Sequence, residues 1–422
     1  MDSSRDYMAQ DLATQNQNSF TWLVGGGVTS PSGFLAGASY GEIKNYGDEP
    51  RFDVGILAGD KNCTTAGMFT KSSVTGWTVQ RSKKLLEEGT LFRGVVVNSG
   101  NANTMTGAQG KLDANEMASL ASAGLETDAD FILNASTGVI GRAMPMNKIK
   151  VAIDAIEMHH DGGDDFARSI MTTDTTTKQC AVKFTVGDVE YVVGGCAKGS
   201  GMIHPNMATM LAFLTTNASV HPEWLKTTLV ANVDRTFNML DIDMDTSTSD
   251  TVLLFASNKV GEQITSDEHP AAELLSRAIF EVCRELVRNI AFDGEGATVM
   301  IEVVAKEAAS ENDAKLVAKT IASSPLIKTM VTGKDPNWGR ILMAAGRSGA
   351  EVDPDLLYVE IAGTGVFERG SPLDIDLDQL SAKMDTEELK IEISLGKGVF
   401  EATAWGCNLT KEYVSINADY TT

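Results

Sequence analysis

Residues 196–214 read CAKGSGMIHPNMATMLAFL, and this stretch changes from loop to strand near its middle. Gly199 and Gly201 tolerate left-handed backbone conformations, and Pro205 fixes its own φ and lacks an N–H donor, so the first half is predicted to be a loop. From Thr209 onward the residues are apolar or β-branched, which predicts a buried strand. The sequence therefore places Thr209 at the start of a core strand that a glycine-rich loop enters.

A threonine at that position has two interpretations. It can be an ordinary strand residue, which the local pattern alone favours. Alternatively, in a strained turn its hydroxyl can attack the carbonyl of Ala208, and water then hydrolyses the resulting ester. Cleavage would leave Thr209 with a free α-amine, whose usual pKa of about 7.7–8.0 suits a general base. Hydroxyl and base would then belong to one residue.

Composition limits the classes of function. The chain has 422 residues, of which 43% are hydrophobic and 22% charged, as in ordinary globular proteins, and its length allows more than one domain. Lys+Arg number 35 against 57 Asp+Glu, a formal net charge of −22. This charge argues against nucleic acid or an anionic membrane as partner.

Neither a targeting nor a membrane segment is predicted. Residues 1–19 are polar, lack the apolar core of a signal peptide, and are expected to form a weakly docked arm. No apolar run is long enough to span a bilayer. The five cysteines are scattered and form no CxxC pair, which favours reduced thiols in a cytoplasmic protein.

Strand and helix patterns alternate, and this predicts the α/β class. Buried strands are expected at 93–97, 131–133, 181–186 and 190–193, and helices at 222–237 and 270–290. A further helix is predicted to begin at Asp113 as N-cap, with Glu116 completing a capping box, and to end at Gly124.

Some polar motifs leave their role open. Asn98–Asn103, after the first of these strands, either forms a wall of the site or satisfies turn backbone. Asp335–Arg340 (DPNWGR) is either a packed turn anchored by its tryptophan or part of the catalytic site. The run Gly25–Gly27 lacks the Lys-Ser/Thr of a phosphate loop and is predicted to be a turn.

No metal site is predicted. Residues 159–165 contain two histidines and three aspartates, but not at zinc-ligand or EF-hand spacing, and a solvated turn is expected there. Asp241, Asp243 and Asp245 alternate as in a calcium loop. However, Thr246 and Val252 occupy the places where that loop requires Gly and Glu.

The run 198–211 resembles the self-cleavage site of the ornithine acetyltransferase family, also called glutamate N-acetyltransferase, of arginine biosynthesis. The similarity extends from about Trp22 to Thr422. Further matching motifs are STGVIG (136–141), MTTDTTTK (171–178), DTSTSDT (245–251), DGEGAT (293–298) and DPNWGR (335–340). The 245–251 motif is interpreted as a structural polar strand near the active region.

The resemblance assigns roles to individual residues. It implies cleavage between Ala208 and Thr209, with Thr209 as nucleophile. Thr137 and Gly138 are expected to form the oxyanion hole. The substrate-binding residues implied are Thr175, Lys198, Thr209, Glu295, Asn417 and Thr422.

Two of these residues have expected charge partners on the substrate. Lys198 would hold a carboxylate of ornithine or glutamate, and Glu295 an ammonium group. The chain departs from the family pattern at Thr177, where proline is common, and at Val299, where lysine is usual.

The resemblance also implies a fold and a reaction. The fold would layer sheets and helices as N-terminal-nucleophile hydrolases do, with different connectivity. An α chain 1–208 and a β chain 209–422 would be interwoven into one catalytic unit, and such pairs would form a multimer.

The implied reaction is a ping-pong transfer of acetyl from N-acetylornithine to glutamate through acetyl-Thr209, without metal or organic cofactor. Three alternatives stay open: an enzyme that also uses acetyl-CoA, a related amide hydrolase, and an uncleaved binding protein.

Overall fold

The computed structural model describes residues 20–43, 50–204 and 210–419. The predictions about residues 1–19, the Ala208–Thr209 bond and Thr422 lie outside these ranges. Within them the chain forms two β-sheets with helices packed against them, so the predicted α/β class and the layering of sheets and helices are confirmed. No helix of the described ranges is both long enough and apolar enough to cross a bilayer.

Sixteen strands are defined in the described residues. They are β1 (Thr21–Trp22), β2 (Phe34–Ser39), β3 (Val54–Phe69), β4 (Leu91–Asn98), β5 (Ile132–Ser136), β6 (Lys178–Val186), β7 (Val189–Lys198), β8 (Leu211–Val220), β9 (Leu240–Asp241), β10 (Thr251–Ile264), β11 (Met300–Ala308), β12 (Tyr358–Ile361), β13 (Thr364–Glu368), β14 (Ser371–Pro372), β15 (Glu388–Ser394) and β16 (Phe400–Cys407).

Eleven α-helices are defined in the described residues. They are α1 (Trp77–Glu88), α2 (Gly107–Gly124), α3 (Met146–Asp154), α4 (Gly163–Ser169), α5 (Pro222–Arg235), α6 (Ala272–Phe292), α7 (Glu311–Ala322), α8 (Pro325–Thr332), α9 (Gly339–Gly346), α10 (Leu377–Lys383) and α11 (Lys411–Asp419).

The larger sheet has nine strands in the order β1-β6-β7-β8-β10-β3-β4-β5, with β2 also paired to β3. At its centre β8 runs antiparallel to β7, with Leu211 opposite Lys198, and parallel to β10, with Leu211 opposite Thr251. Residues 211–214 are fully buried, which confirms the predicted strand. The smaller sheet has seven strands in the order β14-β13-β12-β15-β11-β16-β9.

Helix α6 forms the layer between the two sheets. It contacts β6 and β7 on one side and β11 and β16 on the other. Its apolar stripe, including Leu275, Ile279, Val282 and Leu286, is fully buried, as the sequence predicts. Burying one such side chain contributes about 1.5–3 kcal/mol, so this helix ties the sheets into one core.

Most of the other predicted elements are confirmed, with one error in a helix start. Strands β4 to β7 and helix α5 are found where the sequence predicts them. The predicted cap at Asp113 is wrong, because α2 already begins at Gly107. Asp113 is buried within the helix and accepts a hydrogen bond from Gln109 Nε2 at 2.8 Å. Packing of the helix face overrides the local capping pattern here.

A second correction concerns the acidic segment 245–251. It was expected to be a polar strand, but only Thr251 belongs to β10 and residues 245–250 form a loop. The Thr248 carbonyl accepts from the Gly76 N–H at 3.0 Å, and the Thr248 and Thr104 hydroxyls lie 2.9 Å apart. These bonds to neighbouring loops take the place of strand pairing.

Candidate active site

A cavity of about 300 Å³ opens where several loops of the two layers meet, and we call it the central cavity. Its wall is built from the turn after β5, the segment after α4, the end of β7, the start of β8, the loop before β10, the turn after α6, and α11. The lining residues are Thr137, Gly138, Ile140, Thr172, Thr173, Lys198, Gly201, Met202, Met210, Leu211, Asp243, Asp245–Asp250, Glu295, Tyr413 and Asn417.

Two hydrogen-bond donors on one side of the cavity have no partner among the described residues. Neither the Thr137 hydroxyl nor the Gly138 N–H forms a hydrogen bond with any residue in the described ranges. Gly138 has φ +127°, and a Cβ there would lie 2.3 Å from the Gly100 carbonyl carbon, so only glycine fits. Two free donors on adjacent residues can stabilise an oxyanion.

The asparagine loop after β4 supports this turn. The side-chain amide of Asn98 donates to Asn101 O at 2.9 Å, Asn101 to Ala143 O at 3.1 Å, and Asn103 to Gly110 O at 2.8 Å. None of the three lines the central cavity. Of the two open interpretations, the structure favours the one in which these asparagines satisfy turn backbone.

Lys198 supplies a cation to the cavity. Its side chain, at the end of β7, is only 8% exposed and forms no ion pair with an acid of the described ranges. Burial lowers the pKa of Lys198, while Asp174, Glu295 and Asp250 act in the opposite direction. A buried ammonium without a direct partner is suited to binding a carboxylate.

A buried ion pair fixes the backbone beneath Lys198. Asp174 Oδ1 lies 2.6 Å from Lys178 Nζ and 2.7 Å from the Gly199 N, while Oδ2 accepts from the Thr172 N–H at 2.9 Å. Burial alone would raise the pKa of Asp174, but Lys178 and Lys198 hold it well below its usual range. Lys178 also bonds Asp293, which joins this network to the turn after α6.

Glu295 faces the cavity from that turn. It is 8% exposed, and its Oε2 accepts a hydrogen bond from Asn417 Nδ2 at 2.8 Å. Its N–H bonds Ser200 O at 2.8 Å. A Cβ on Gly201 would lie 2.4 Å from the Glu295 carboxyl carbon, so glycine is required for the carboxylate to reach this position. Two predicted site residues, Glu295 and Asn417, thus lie in direct contact.

Asp243 and Tyr413 join the cavity wall, and the sequence analysis did not assign them to the site. Asp243 accepts from the N–H groups of Met202 at 2.6 Å and Ile203 at 2.8 Å, and from the Tyr413 hydroxyl at 3.2 Å. Burial raises the pKa of Asp243, and burial together with Asp243 raises that of Tyr413. Asp243 therefore connects the loop that follows β7 to helix α11.

Asp250 is the most isolated acid of the wall. Both carboxylate oxygens are buried, and neither makes a hydrogen bond of normal geometry within the described ranges. Burial raises the pKa of Asp250 well above its usual value, although Ser247, Thr70, Lys198 and the Met210 N–H lie close enough to oppose this. The sequence predicts only a structural polar strand near the active region for residues 245–251, and Asp250 is therefore not among the predicted site residues.

The structure brings five predicted site residues to the cavity: Thr137, Gly138, Lys198, Glu295 and Asn417. Thr175 does not line it. Its N–H lies 3.0 Å from Asp293 Oδ2, and its hydroxyl also bonds that carboxylate. Ala208, Thr209 and Thr422 lie outside the described residues, so their roles stay predictions.

The DPNWGR motif lies away from the cavity. The Trp338 ring packs against Phe367, with 5.5 Å between ring centroids, and α9 begins at the next residue. Within the described ranges, no three His, Cys, Asp or Glu side chains are grouped to hold a metal ion. The five cysteines are buried and unpaired.

The chain is similar to known proteins along nearly its whole length. The ArgJ family model matches residues 36–422. The arginine biosynthesis bifunctional protein ArgJ of Dehalococcoides mccartyi is 42% identical over 406 residues, covering 96% of this chain and 100% of that protein. The protein of the same name from Staphylococcus aureus is 39% identical over 423 residues, covering 98% and 100%.

Two proteins of known structure are also similar to this chain in sequence. The ornithine acetyltransferase of Mycobacterium tuberculosis, solved in complex with ornithine, is 35% identical, with a TM-score of 0.42. The match covers 45% of this chain and 100% of the solved chain. An arginine biosynthesis bifunctional protein from Bacillus halodurans is 38% identical, with a TM-score of 0.47. The match covers 49% of this chain and 97% of the solved chain.

Proposed function

The chain belongs to the ArgJ family, the acetyltransferases of arginine biosynthesis, and we propose how its cavity performs the transfer. N-acetylornithine donates its acetyl group to Thr209, and glutamate then takes the group from the enzyme. Thr209 becomes the first residue of a β chain when the Ala208–Thr209 bond is cut.

In the first half-reaction the Thr209 α-amine takes the proton of its own hydroxyl, and Oγ attacks the acetyl carbonyl. The Thr137 hydroxyl and the Gly138 N–H stabilise the negative charge that develops on the carbonyl oxygen. The amide C–N bond breaks, the proton passes from the ammonium to the leaving nitrogen, and ornithine departs. The neutral α-amine of glutamate then attacks the acetyl ester, the C–Oγ bond breaks, and the proton that the attacking nitrogen loses passes through the Thr209 α-amine to Oγ, which restores the hydroxyl.

Lys198 and Glu295 orient both substrates. The Lys198 ammonium holds the α-carboxylate that ornithine and glutamate share, and the Glu295 carboxylate holds an ammonium group of the donor. Thr175, Asn417 and Thr422 complete the substrate contacts. The observation that best supports this proposal is that Thr137 and Gly138 line the same small cavity as this pair of opposite charges, and that their two donors have no partner among the described residues.

The proposed α chain 1–208 and β chain 209–422 form one catalytic unit. Strands from both sides of the cut alternate in the larger sheet, where β8 and β10 lie between β7 and β3. We expect this unit to assemble into a multimer of αβ pairs in the cytoplasm and to need no metal or organic cofactor.

Intact mass under denaturing conditions tests the proposal most directly. The wild-type chain is expected to appear as two fragments that meet at Ala208/Thr209, and Thr209→Ala as one uncut 45.0 kDa chain without acetyl transfer. Thr209→Ser, which keeps a hydroxyl, is the matched variant and should still be cut. A cleaved and active Thr209→Ala enzyme would overturn the proposed nucleophile.

A second activity is suggested by the word "bifunctional" in the names of the similar proteins. In this candidate, acetyl-CoA also acetylates Thr209, and glutamate takes the group in the same way. Wild-type enzyme incubated with acetyl-CoA alone should then gain the mass of one acetyl group on the 209–422 fragment. Acetyl release to water without an acceptor would favour an amide hydrolase, and an uncut wild-type chain a binding protein.

A further inference from the structure

We propose that Tyr413 is a specificity-determining residue: its hydroxyl oxygen accepts a hydrogen bond from the terminal ammonium of an acetylated diamino acid, a group that glutamate lacks at that end. This inference rests on the proposed function and adds a second residue that recognises the ammonium. It follows from an account of the hydrogens along the part of the central cavity formed by Asp243, Glu295, Tyr413 and Asn417, which we call the acceptor wall.

The hydrogen of the Tyr413 hydroxyl is engaged by Asp243. Its Oη lies 3.2 Å from Asp243 Oδ2, and the two Asp243 oxygens also accept from the N–H groups of Met202 at 2.6 Å and Ile203 at 2.8 Å. Burial and the neighbouring Asp243 raise the pKa of Tyr413, so the hydroxyl keeps its hydrogen and donates it to the carboxylate. The Tyr413 oxygen therefore offers lone pairs, and no hydrogen, to a ligand.

Asn417 is arranged in the same way. Its Nδ2 donates to Glu295 Oε2 at 2.8 Å and to the backbone oxygen of Tyr413 at 3.0 Å, so both amide hydrogens are used. Both partners are acceptors, which fixes the orientation of the amide. Its Oδ1 acceptor is what remains for a ligand. Each side chain of the acceptor wall thus offers an acceptor, and none offers a hydrogen.

A glycine turn seats helix α11 beside Glu295. Gly296 has φ +66°, and a Cβ there would lie 2.5 Å from the Tyr413 nitrogen. The Thr410 hydroxyl donates to Gly296 O at 2.6 Å just before the helix begins. Tyr413 and Asn417 are one helical turn apart, so their side chains are neighbours on one face of α11. The backbone therefore brings the Tyr413 hydroxyl to the part of the cavity that Glu295 faces.

Other parts of the cavity wall have the opposite polarity. Among the described residues, the Lys198 ammonium has no ion pair, and the donors of Thr137 and Gly138 have no partner. N-acetylornithine matches both polarities, since its carboxylate and acetyl oxygens accept hydrogen bonds and its ammonium donates them. The second carboxylate of glutamate has no hydrogen to give to the acceptor wall. This wall therefore favours the diamino acid over glutamate.

The test compares Tyr413→Phe, which removes the hydroxyl and keeps the ring, with wild type in the full-length chain. In a ping-pong reaction kcat/KM for each substrate reports its own half-reaction. We expect kcat/KM for N-acetylornithine to fall about 10-fold, because a hydrogen bond to a charged group is lost. N-acetylnorvaline is the same molecule with hydrogen in place of the terminal ammonium. The values for N-acetylnorvaline and for glutamate should stay within about twofold of wild type.

Tyr358→Phe is the matched control. The Tyr358 hydroxyl also bonds a carboxylate, that of Glu360 at 3.3 Å, but it lies on β12 and does not line the central cavity. This change should leave all three values at the wild-type level. Helix α11 contributes no buried side chain to the core, so Tyr413→Phe should still melt cooperatively. Tyr413→Leu, which also lacks the hydroxyl, repeats the measurement.

Three results would contradict the inference: wild type that uses N-acetylnorvaline as efficiently as N-acetylornithine, Tyr413 variants that keep the wild-type value for N-acetylornithine, or a common fall of all three values. Failure of the proposed function looks different, because then the wild-type chain itself would transfer no acetyl from N-acetylornithine to glutamate.

Discussion

The Asp174 carboxylate accepts a hydrogen bond from the Gly199 N–H, with 2.7 Å between Oδ1 and N, and so connects a buried ion pair to the loop that carries the proposed cut. The same oxygen bonds Lys178 at 2.6 Å. The conformation of residues 199–201, against which Glu295 packs, therefore depends on charges that no solvent reaches.

We expect Asp174→Asn to lower the free energy of unfolding by about 3 kcal/mol, because it leaves Lys178 buried with only Asp293 as counter-charge. Urea denaturation monitored by circular dichroism measures this. Glu88→Gln, which removes the acid of an exposed pair with Lys84, is the control and should change stability by less than about 0.5 kcal/mol. If the two changes lowered the free energy of unfolding equally, the buried pair would contribute no more to stability than an exposed one.

The same pair should make stability sensitive to acid. The pKa of Asp174 in the folded protein is held below its unfolded value of about 3.9. Its stabilising contribution is therefore present above that value and is lost as pH falls further. Melting temperatures measured from pH 6 to pH 2 should show a constant difference between wild type and Asp174→Asn down to about pH 4, and this difference should narrow progressively below that pH. A constant difference across this range would contradict the assignment.

Thr137→Val removes one donor to the oxyanion while keeping the shape of the side chain. We expect kcat to fall about 10²–10³-fold with little change in melting temperature, because the Thr137 hydroxyl has no partner within the described structure to lose. Steady-state kinetics with N-acetylornithine measure this. Thr227→Val, on the exposed face of α5, is the matched control and should keep wild-type kcat. A loss confined to KM would place Thr137 in binding alone.

Glu295→Gln should raise KM for N-acetylornithine about 10–100-fold and leave kcat within a few-fold. A charge-assisted hydrogen bond contributes about 1.5–3 kcal/mol, and this one is present in both ground and transition states. Glu262→Gln, at an exposed position of β10, is the control. If kcat rather than KM changes, Glu295 contacts the reacting centre and not a remote ammonium.

Removing residues 411–422 should impair activity far more than stability. Helix α11 contributes no buried side chain to the core, but it places Tyr413 and Asn417 in the cavity wall. With about 1 kcal/mol for each lost hydrogen bond, the free energy of unfolding should fall by about 2 kcal/mol, while kcat/KM falls at least 100-fold. An affinity tag at the C-terminus should also reduce activity, whereas the same tag at the N-terminus should not.

The sequence predicted the strands and helices whose apolar pattern is strong, such as β8 and α6, because burial alone decides those elements. It misjudged the start of α2 at Asp113, where long-range packing outweighs a local capping signal. The motifs that resemble the family located Thr137, Lys198, Glu295 and Asn417 at one cavity. No periodicity would have brought these four positions together, since they come from separate loops.

The roles of Asp243, Asp250 and Tyr413 could not be predicted from their neighbours in the chain. Asp243 acts on backbone N–H groups about 40 residues away, which no local pattern encodes. Neither Asp250 oxygen has a hydrogen bond of normal geometry within the described residues, and a missing contact is visible only once every surrounding element is in place.

The antiparallel pairing of β7 with β8 has a consequence for how the protein refolds after denaturation. If the loop between these strands is cut, the two pieces remain held by the ladder in which Lys198 faces Leu211. Folding of the precursor is a first-order event, whereas reassembly of denatured, processed protein requires two molecules to meet. Recovery after denaturation should then depend on protein concentration for the mature enzyme but not for an uncut variant. Processing would thus change refolding from a unimolecular reaction into a bimolecular one, and the mature enzyme would recover poorly from denaturation at low protein concentration.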